Sequence, residues 1–188
     1  ITESDSRTEI KPSDSGNLDE VLIAGSDSKN KTSNIFTNLN YKFKDTLGHA
    51  LNIDLDYGKY LSDRENLQPN RYFNGDETQV LRENIVFFDT PIDISIISGQ
   101  ADYEQDLLEG VLSLGIKYSK VSTDNSFDAF DRTNGNNDLD ETQSNDFFYD
   151  EQISAAYINY KRQFKKFNVQ LGLRIESTKS DGQLESLQ

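Results

Sequence analysis

No cysteine occurs in the 188 residues, which removes disulfides, thiolate nucleophiles and thiolate metal sites together. Methionine and tryptophan are absent too, and the single histidine, His49, belongs to no recognisable triad. Nucleophilic catalysis has nothing to build on, so the chain is expected not to be an enzyme. His49 lies one residue past a tight turn and reads as structural. No apolar run reaches the length of about 18 residues that a transmembrane helix needs. The start, "ITESDSRTEI", has neither an initiator Met nor the apolar stretch of a signal peptide, and the chain is expected to be a piece of something longer. A net charge of −14 leaves no basic stripe to replace counterions on a phosphate backbone, so nucleic acid is not an expected partner.

Proline is scarce as well, with three residues, whereas 11 Phe and 9 Tyr supply much of the apolar mass. Large aromatic side chains suit a half-buried pleated surface. The segment "KFNVQLGLRIEST" at 166–178 shows how they are arranged. Phe167, Val169, Leu171, Leu173 and Ile175 take the odd positions, while Asn168, Gln170, Gly172, Arg174 and Glu176 take the even ones. A period of two makes one strand face apolar and the other polar.

The same ribbon recurs along the chain. Ile35, Thr37, Leu39, Tyr41 and Phe43 take one face, with Asn34, Asn38, Asn40 and Lys42 largely on the other, and after the turn "KDTLG" Leu51, Ile53, Leu55 and Tyr57 stand against Asn52, Asp54, Asp56 and Gly58. Residues 92–103 and 111–122 flank "EQDLLEG", and 147–160 and 166–178 flank "KRQFK". Six strands in three hairpins follow, with 20–26 and 80–88 as possible additions. The expected fold is all-β, an antiparallel up-and-down meander of six to eight long strands. Residues 1–33 read as a polar loop with at most one strand, 34–178 as the sheet, and 179–188 as a polar tail or the start of a loop. The stretches 62–91 and 123–146 read as long polar links. Within 92–103 the apolar set moves from even positions (Ile92, Ile94, Ile96) to odd ones (Ile97, Gly99, Ala101, Tyr103), and a bulge at Ile96 and Ile97 is expected to restore the alternation.

Strands of 10–14 residues exceed the ordinary globular length of about 5–6 and cover the roughly 9–11 needed to cross a bilayer at a tilt. Aromatics cluster beside the short turns (Tyr41, Phe43, Tyr103, Tyr157, Phe167) and again near the long links (Tyr57, Tyr118, Phe147, Tyr149), as two interfacial girdles would. Short and long connections alternate, which is the layout of a segment of a transmembrane β-barrel. Leu51, Ile53, Leu55, Val169, Leu171, Leu173 and Ile175 are then expected to face lipid or detergent, and Asn52, Asp54, Asp56, Lys117, Gln170, Arg174 and Glu176 a watery lumen. The competing reading is a soluble extracellular β-sandwich for adhesion or glycan binding, its apolar faces packed on each other.

Three stretches carry a resemblance: "YDEQISAAYINYKRQFKKFNVQLGLRIEST" at 149–178, "SGQADYEQDLLEGVLSLGIKYS" at 98–119 and the "TNLNYKF" hairpin. Together they resemble the barrel portion of TonB-dependent outer-membrane receptors, in particular the outer-membrane beta-barrel family abundant in Bacteroidetes. The resemblance implies the outer membrane of a Gram-negative bacterium, uptake of a nutrient such as a glycan or siderophore, and a plug domain and TonB as partners in the parent protein. No TonB box, plug domain or terminal aromatic strand signal is found, and six to eight strands cannot close a barrel of about 22. The chain is thus expected to be a barrel fragment that lacks activity of its own and self-associates when isolated.

One further cluster bears on cofactors. Nine acidic residues and one basic residue lie between Asp124 and Glu151. Asp131, Asp138 and Asp140 are the candidates for Ca2+ there, but the spacing lacks the glycine and terminal glutamate of an EF-hand, and no cofactor is otherwise expected.

Overall fold

Alternation at period two becomes strand at every place it was seen, and the strands outrun it. The computed structural model describes residues 2–10 and 20–187. Nine strands form one antiparallel sheet: β1 (Thr2–Ile10), β2 (Glu20–Lys44), β3 (His49–Asn74), β4 (Val80–Asp89), β5 (Ile92–Leu107), β6 (Gly110–Asp131), β7 (Asp138–Leu139), β8 (Asn145–Gln163) and β9 (Asn168–Ser186). No helix occurs among the described residues. The sheet is an up-and-down meander in the order β1-β2-β3-β4-β6-β8-β9, with β5 also between β3 and β6 and the short β7 beside β6, as the sequence pattern implied.

Strands β4 and β5 occupy a single position in it. Glu65 pairs with Asp89 and Ser62 with Ile92, one unbroken register against β3, so the interruption at Thr90 and Pro91 is only the place where proline brings no N–H to the ladder. Two expectations fail here. The stretch 62–91 is not a loop but the upper part of β3 followed by β4, and 123–146 contains the end of β6, the short β7 and the start of β8. The polar beginning likewise holds β1 and the first half of β2, and β9 continues through the expected tail to Ser186. Alternation is lost in these upper segments because both their faces are polar or both are partly covered. Phe87 meets Phe130 at a tilt with ring centres 6.0 Å apart, while Phe88, on the opposite face, meets Phe127 at 5.4 Å. A strand with apolar contacts on both sides shows no period.

The short turns lie together at one end. Asp45 closes the β2–β3 turn: its Oδ1 accepts the N–H of Leu47 at 2.9 Å and of His49 at 2.8 Å, and its Oδ2 lies 2.7 Å from the His49 ring. Gly48, at φ 87°, takes the left-handed position. The β5–β6 turn has two central residues, Leu108 (φ 51°) and Glu109 (φ 59°), a positive-φ pair that usually falls to Asn and Gly. Tyr160 Oη donates to the Leu107 and Leu108 carbonyls and holds it. At the β8–β9 turn Phe164 and Phe167 stack at 4.8 Å.

Very little is buried. Among the described residues Val21, Ala129 and Ala155 are the buried hydrophobic ones, and two of these three are alanines. Among the described residues nothing forms a second layer on the sheet.

Candidate functional site: the two faces of the sheet

Residues directly opposite in an antiparallel ladder share a face. The register therefore assigns every side chain of the sheet to one of two faces. One ladder rung joins Leu39, Leu55, Gly99, Tyr118, Ser154 and Ser177, and the next towards the short turns joins Tyr41, Ile53, Ala101, Ile116, Ala156 and Ile175. This is the apolar face. Leu51, Ile53, Leu55, Val169, Leu171, Leu173 and Ile175 all lie on it, and Ile116, Leu171 and Ile175 are each more than 60% exposed.

The belt formed by these residues is oblique to the hydrogen bonds. On β2 it runs from Ile35 to Phe43, centred on Leu39, whose rung reaches β9 at Ser177. On β9 the belt runs from Val169 to Ile175, centred on Gly172, five residues below Ser177 after five steps across the sheet. A drop of one residue per strand, at about 3.3 Å of rise and about 4.8 Å between strands, corresponds to a strand tilt of about 35° relative to the belt's normal.

The opposite face carries the polar partners. Asn52, Asp54, Asp56, Lys117, Gln170, Arg174 and Glu176 all fall on it, joined by Asn38, Asn40, Gln100 and Asp102. They bond along and across the strands: Asn38 Nδ2 donates to Asp56 Oδ1 at 2.7 Å, Ser98 Oγ to Asp56 Oδ2 at 2.9 Å, and Gln170 Nε2 to Asn159 Oδ1 at 3.0 Å. Tyr157 lies flat over Gly115 on the intervening strand, so that its Oη reaches Asp102 Oδ1 on β5 at 2.8 Å. An ideal Cβ at position 115 would stand 1.9 Å from the Tyr157 ring, and only glycine leaves this path open. Phe36 crosses Gly58 towards Ile96 in the same manner.

The structure corrects two readings of this region. No bulge exists at Ile96 and Ile97, because both remain in register with Gly58 and Tyr57 on one side and with Val121 and Lys120 on the other. The exchange of faces is real: Ile92, Ile94 and Ile96 belong to the polar face, and Ile97, Gly99, Ala101 and Tyr103 to the belt. Farther from the short turns the polar face thus becomes aromatic and aliphatic, with Phe36, Tyr60, Ile94, Ile96, Val121 and Tyr149 on adjacent rungs. This patch was legible as the shift in apolar parity, which the assumption of a bulge explained away. The aromatic girdles are also thinner than the sequence suggested. Tyr41, Phe43, Tyr103, Tyr57 and Tyr118 flank the belt, but Tyr157, Phe147 and Tyr149 point from the other face.

The acidic loop residues serve their own turns. Asp131 Oδ1 accepts the Thr133 N–H at 2.8 Å, and Asp140 Oδ1 accepts from Thr142 N at 3.0 Å and from its hydroxyl at 2.6 Å. These bonds hold both carboxyls below the usual carboxylate range. Asp138 pairs in the ladder with Asp131. No group of three or more metal-ligating side chains forms among the described residues.

A wall with one apolar belt, one polar face and a consistent tilt has a known counterpart. Residues 25–188 match the sequence pattern of the outer membrane protein beta-barrel family. The chain belongs to that family. Its place is the outer membrane of a Gram-negative bacterium, and the tilt of about 35° is that of strands in such barrels. No curated protein matches the sequence. A barrel wall crosses with strands, so the lack of an apolar helix among the described residues says nothing against it.

Proposed function

We propose that this wall belongs to a TonB-dependent receptor that takes up a nutrient such as a glycan or a siderophore, with a plug domain and TonB as partners in the parent protein. Within this reading the belt faces lipid and the polar face lines the lumen. The chain supplies wall and binding surface, performs no catalysis and needs no cofactor. One observation carries the proposal: the lumen-side face changes character along its length, from bonded amides and carboxylates near the short turns to the patch around Phe36, Tyr60, Ile96 and Tyr149 towards the long hairpins. Aromatic faces with polar groups beside them suit sugars and aromatic chelators, because a stacked ring excludes water while nearby oxygens and amides fix orientation. A simple pore would need no such patch.

The test is uptake by cells carrying the full-length gene. Growth on the ligand should require both this gene and a functional TonB, and Phe36→Ala with Tyr60→Ala should weaken ligand binding at least tenfold while the barrel still assembles. Growth that persists without TonB would overturn the proposal.

A further inference from the structure

We propose that the β8–β9 turn binds the anionic headgroup of a phospholipid in the inner leaflet of the membrane, with Lys165 and Lys166 on its phosphate and Phe164 and Phe167 at the edge of its acyl chains. The inference rests on the outer-membrane placement of the family and on the belt facing lipid, and not on what the parent protein transports.

The charge pattern singles this turn out. Acidic residues make up 33 of the 188, yet none falls between Glu151 and Glu176, an interval that holds Lys161, Arg162, Lys165, Lys166 and Arg174. All but Arg174 lie within 161–166. The neighbouring short turns carry acids instead, and each is engaged: Asp45 accepts the Leu47 and His49 N–H groups, Asp106 stands against Gly48, and Glu109 pairs with Arg162. Lys165 and Lys166 are exposed, and among the described residues neither ammonium has an ion-pair or hydrogen-bond partner. Adjacent unpaired ammonium groups repel one another, and an anion shared between them removes that repulsion.

Depth decides which anion they meet. The Phe164 N–H donates to the Phe167 carbonyl at 2.8 Å, so the two lysines are the central residues of a tight turn. The flanking rings stack with centres 4.8 Å apart, Phe167 is 60% exposed, and the Arg162 guanidinium lies 5.0 Å from the centre of the Phe164 ring. Arg162 pairs across the ladder with Val169, the belt residue of β9 nearest the turn, and so marks the lower edge of the belt. Lys166 and Lys165 lie three and four positions beyond Val169. At about 3.3 Å per residue that is at most about 13 Å along the chain, and less in depth because the strand is tilted and the chain turns. The headgroup zone beneath a hydrocarbon core is roughly 5–8 Å deep. The rings then sit at the boundary and the ammonium groups among the phosphates, where aromatic and basic side chains are both well placed. An acidic protein would match the lysines alone, whereas the rings lead directly into Val169 and the belt, whose neighbour is lipid.

The experiment uses the full-length protein in non-ionic detergent, titrated with phosphatidylglycerol and read by native mass spectrometry. Lys165→Gln with Lys166→Gln should weaken binding by about fivefold per lysine, whereas Lys165→Arg with Lys166→Arg should keep it. Lys29→Gln with Lys31→Gln, far from the short turns, should change nothing. Phosphatidylethanolamine, which carries no net charge, should bind more weakly than phosphatidylglycerol. Unchanged affinity in the Gln variant overturns the site, as does equal affinity for the two lipids. Displacement by millimolar inorganic phosphate would make the ligand a free anion, and tighter binding of a polyglutamate peptide would make it an acidic protein; either overturns the proposal. If the double variant does not assemble, Lys166→Gln alone should still lose about fivefold. Loss of uptake with lipid binding intact bears on the transport reading only.

Discussion

Leu171 and Gln170 are neighbours in sequence and opposites in environment. Replacing Leu171 by Asp puts a carboxylate in the apolar belt, which, with the belt against lipid as proposed, should cost at most a few kcal/mol, less than Arg or Lys would. Gln170→Asp should be close to neutral, since Gln170 already stands among amides. Equal loss of barrel assembly for both, measured as heat-resistant band on a gel, would mean that the faces are assigned wrongly. Glycine offers a second contrast. Gly115→Ala drives a methyl into the Tyr157 ring and breaks its bond to Asp102, which should cost about 1–3 kcal/mol in urea unfolding from lipid. Gly182→Ala meets its neighbours no closer than 3.7 Å and should cost almost nothing. A similar cost for the two would remove the argument that glycine is there to let the tyrosine cross.

Among the elements, the turns and the upper sheet respond to different forces. Leu108 and Glu109 hold positive φ without being glycine or asparagine, and Leu108 is 75% exposed, so nothing in its side chain compensates. Leu108→Asn with Glu109→Gly should stabilise the β5–β6 hairpin by about 1 kcal/mol, offset in part by the lost pair between Arg162 and Glu109. Destabilisation in the same unfolding assay would show that the pair outweighs the backbone strain. In the upper sheet Asp89 is pushed above the ordinary carboxylate value of 3.8, first by burial and then by Asp63, Glu65 and Asp128. The folded state then holds this proton more tightly than the unfolded one, so stability there rises as pH falls through the raised value towards 3.8. Asp131 and Asp140 have the opposite sign. Their contribution is complete above 3.8 and is lost as pH falls through their lowered folded values. Hydrogen exchange, corrected for intrinsic rates, should show β4 gaining protection as pH is lowered from 7 towards 3.8, with 131–144 unchanged over that range. A loop that opens while β4 stays constant would contradict both assignments.

For the molecule as a whole, length and openness matter most. The 26 residues of β3 span roughly 85 Å, against an apolar band of about 25 Å, so most of the wall rises beyond the membrane on the side of the long hairpins. The sheet is also open at the level of the belt. Among the described residues β1 covers β2 only from Glu20 to Ser28, which leaves residues 29–44 of β2 as one edge and β9 as the other. Free edges and an uncovered belt favour pairing with more strands. Residues 1–188 alone in water should therefore associate into dimers or larger species by light scattering. A detergent-free monomer at high concentration would mean that these surfaces close on one another within one chain.

Strand, face and hairpin were legible in the amino-acid order, because a residue's side of a pleated sheet depends on parity and local turn chemistry, both written within a few positions. That is why Leu51 and Asn52, or Gln170 and Leu171, could be sorted without coordinates. The composition also excluded thiol chemistry and a membrane helix. What lies on the far side of the sheet, however, depends on partners dozens of residues away. The upper halves of β3 and β6 have no alternation to announce them, and it is the ladders with β2, β4 and β8, with the rings of Phe127 and Phe130, that make them strands. The same holds for Ile92, Ile94 and Ile96: parity marked the change of face, but unbroken register on both sides was needed to tell an apolar patch on the polar face from a bulge. The tilt is likewise a relation between strands, which exists only once the register across the sheet is set.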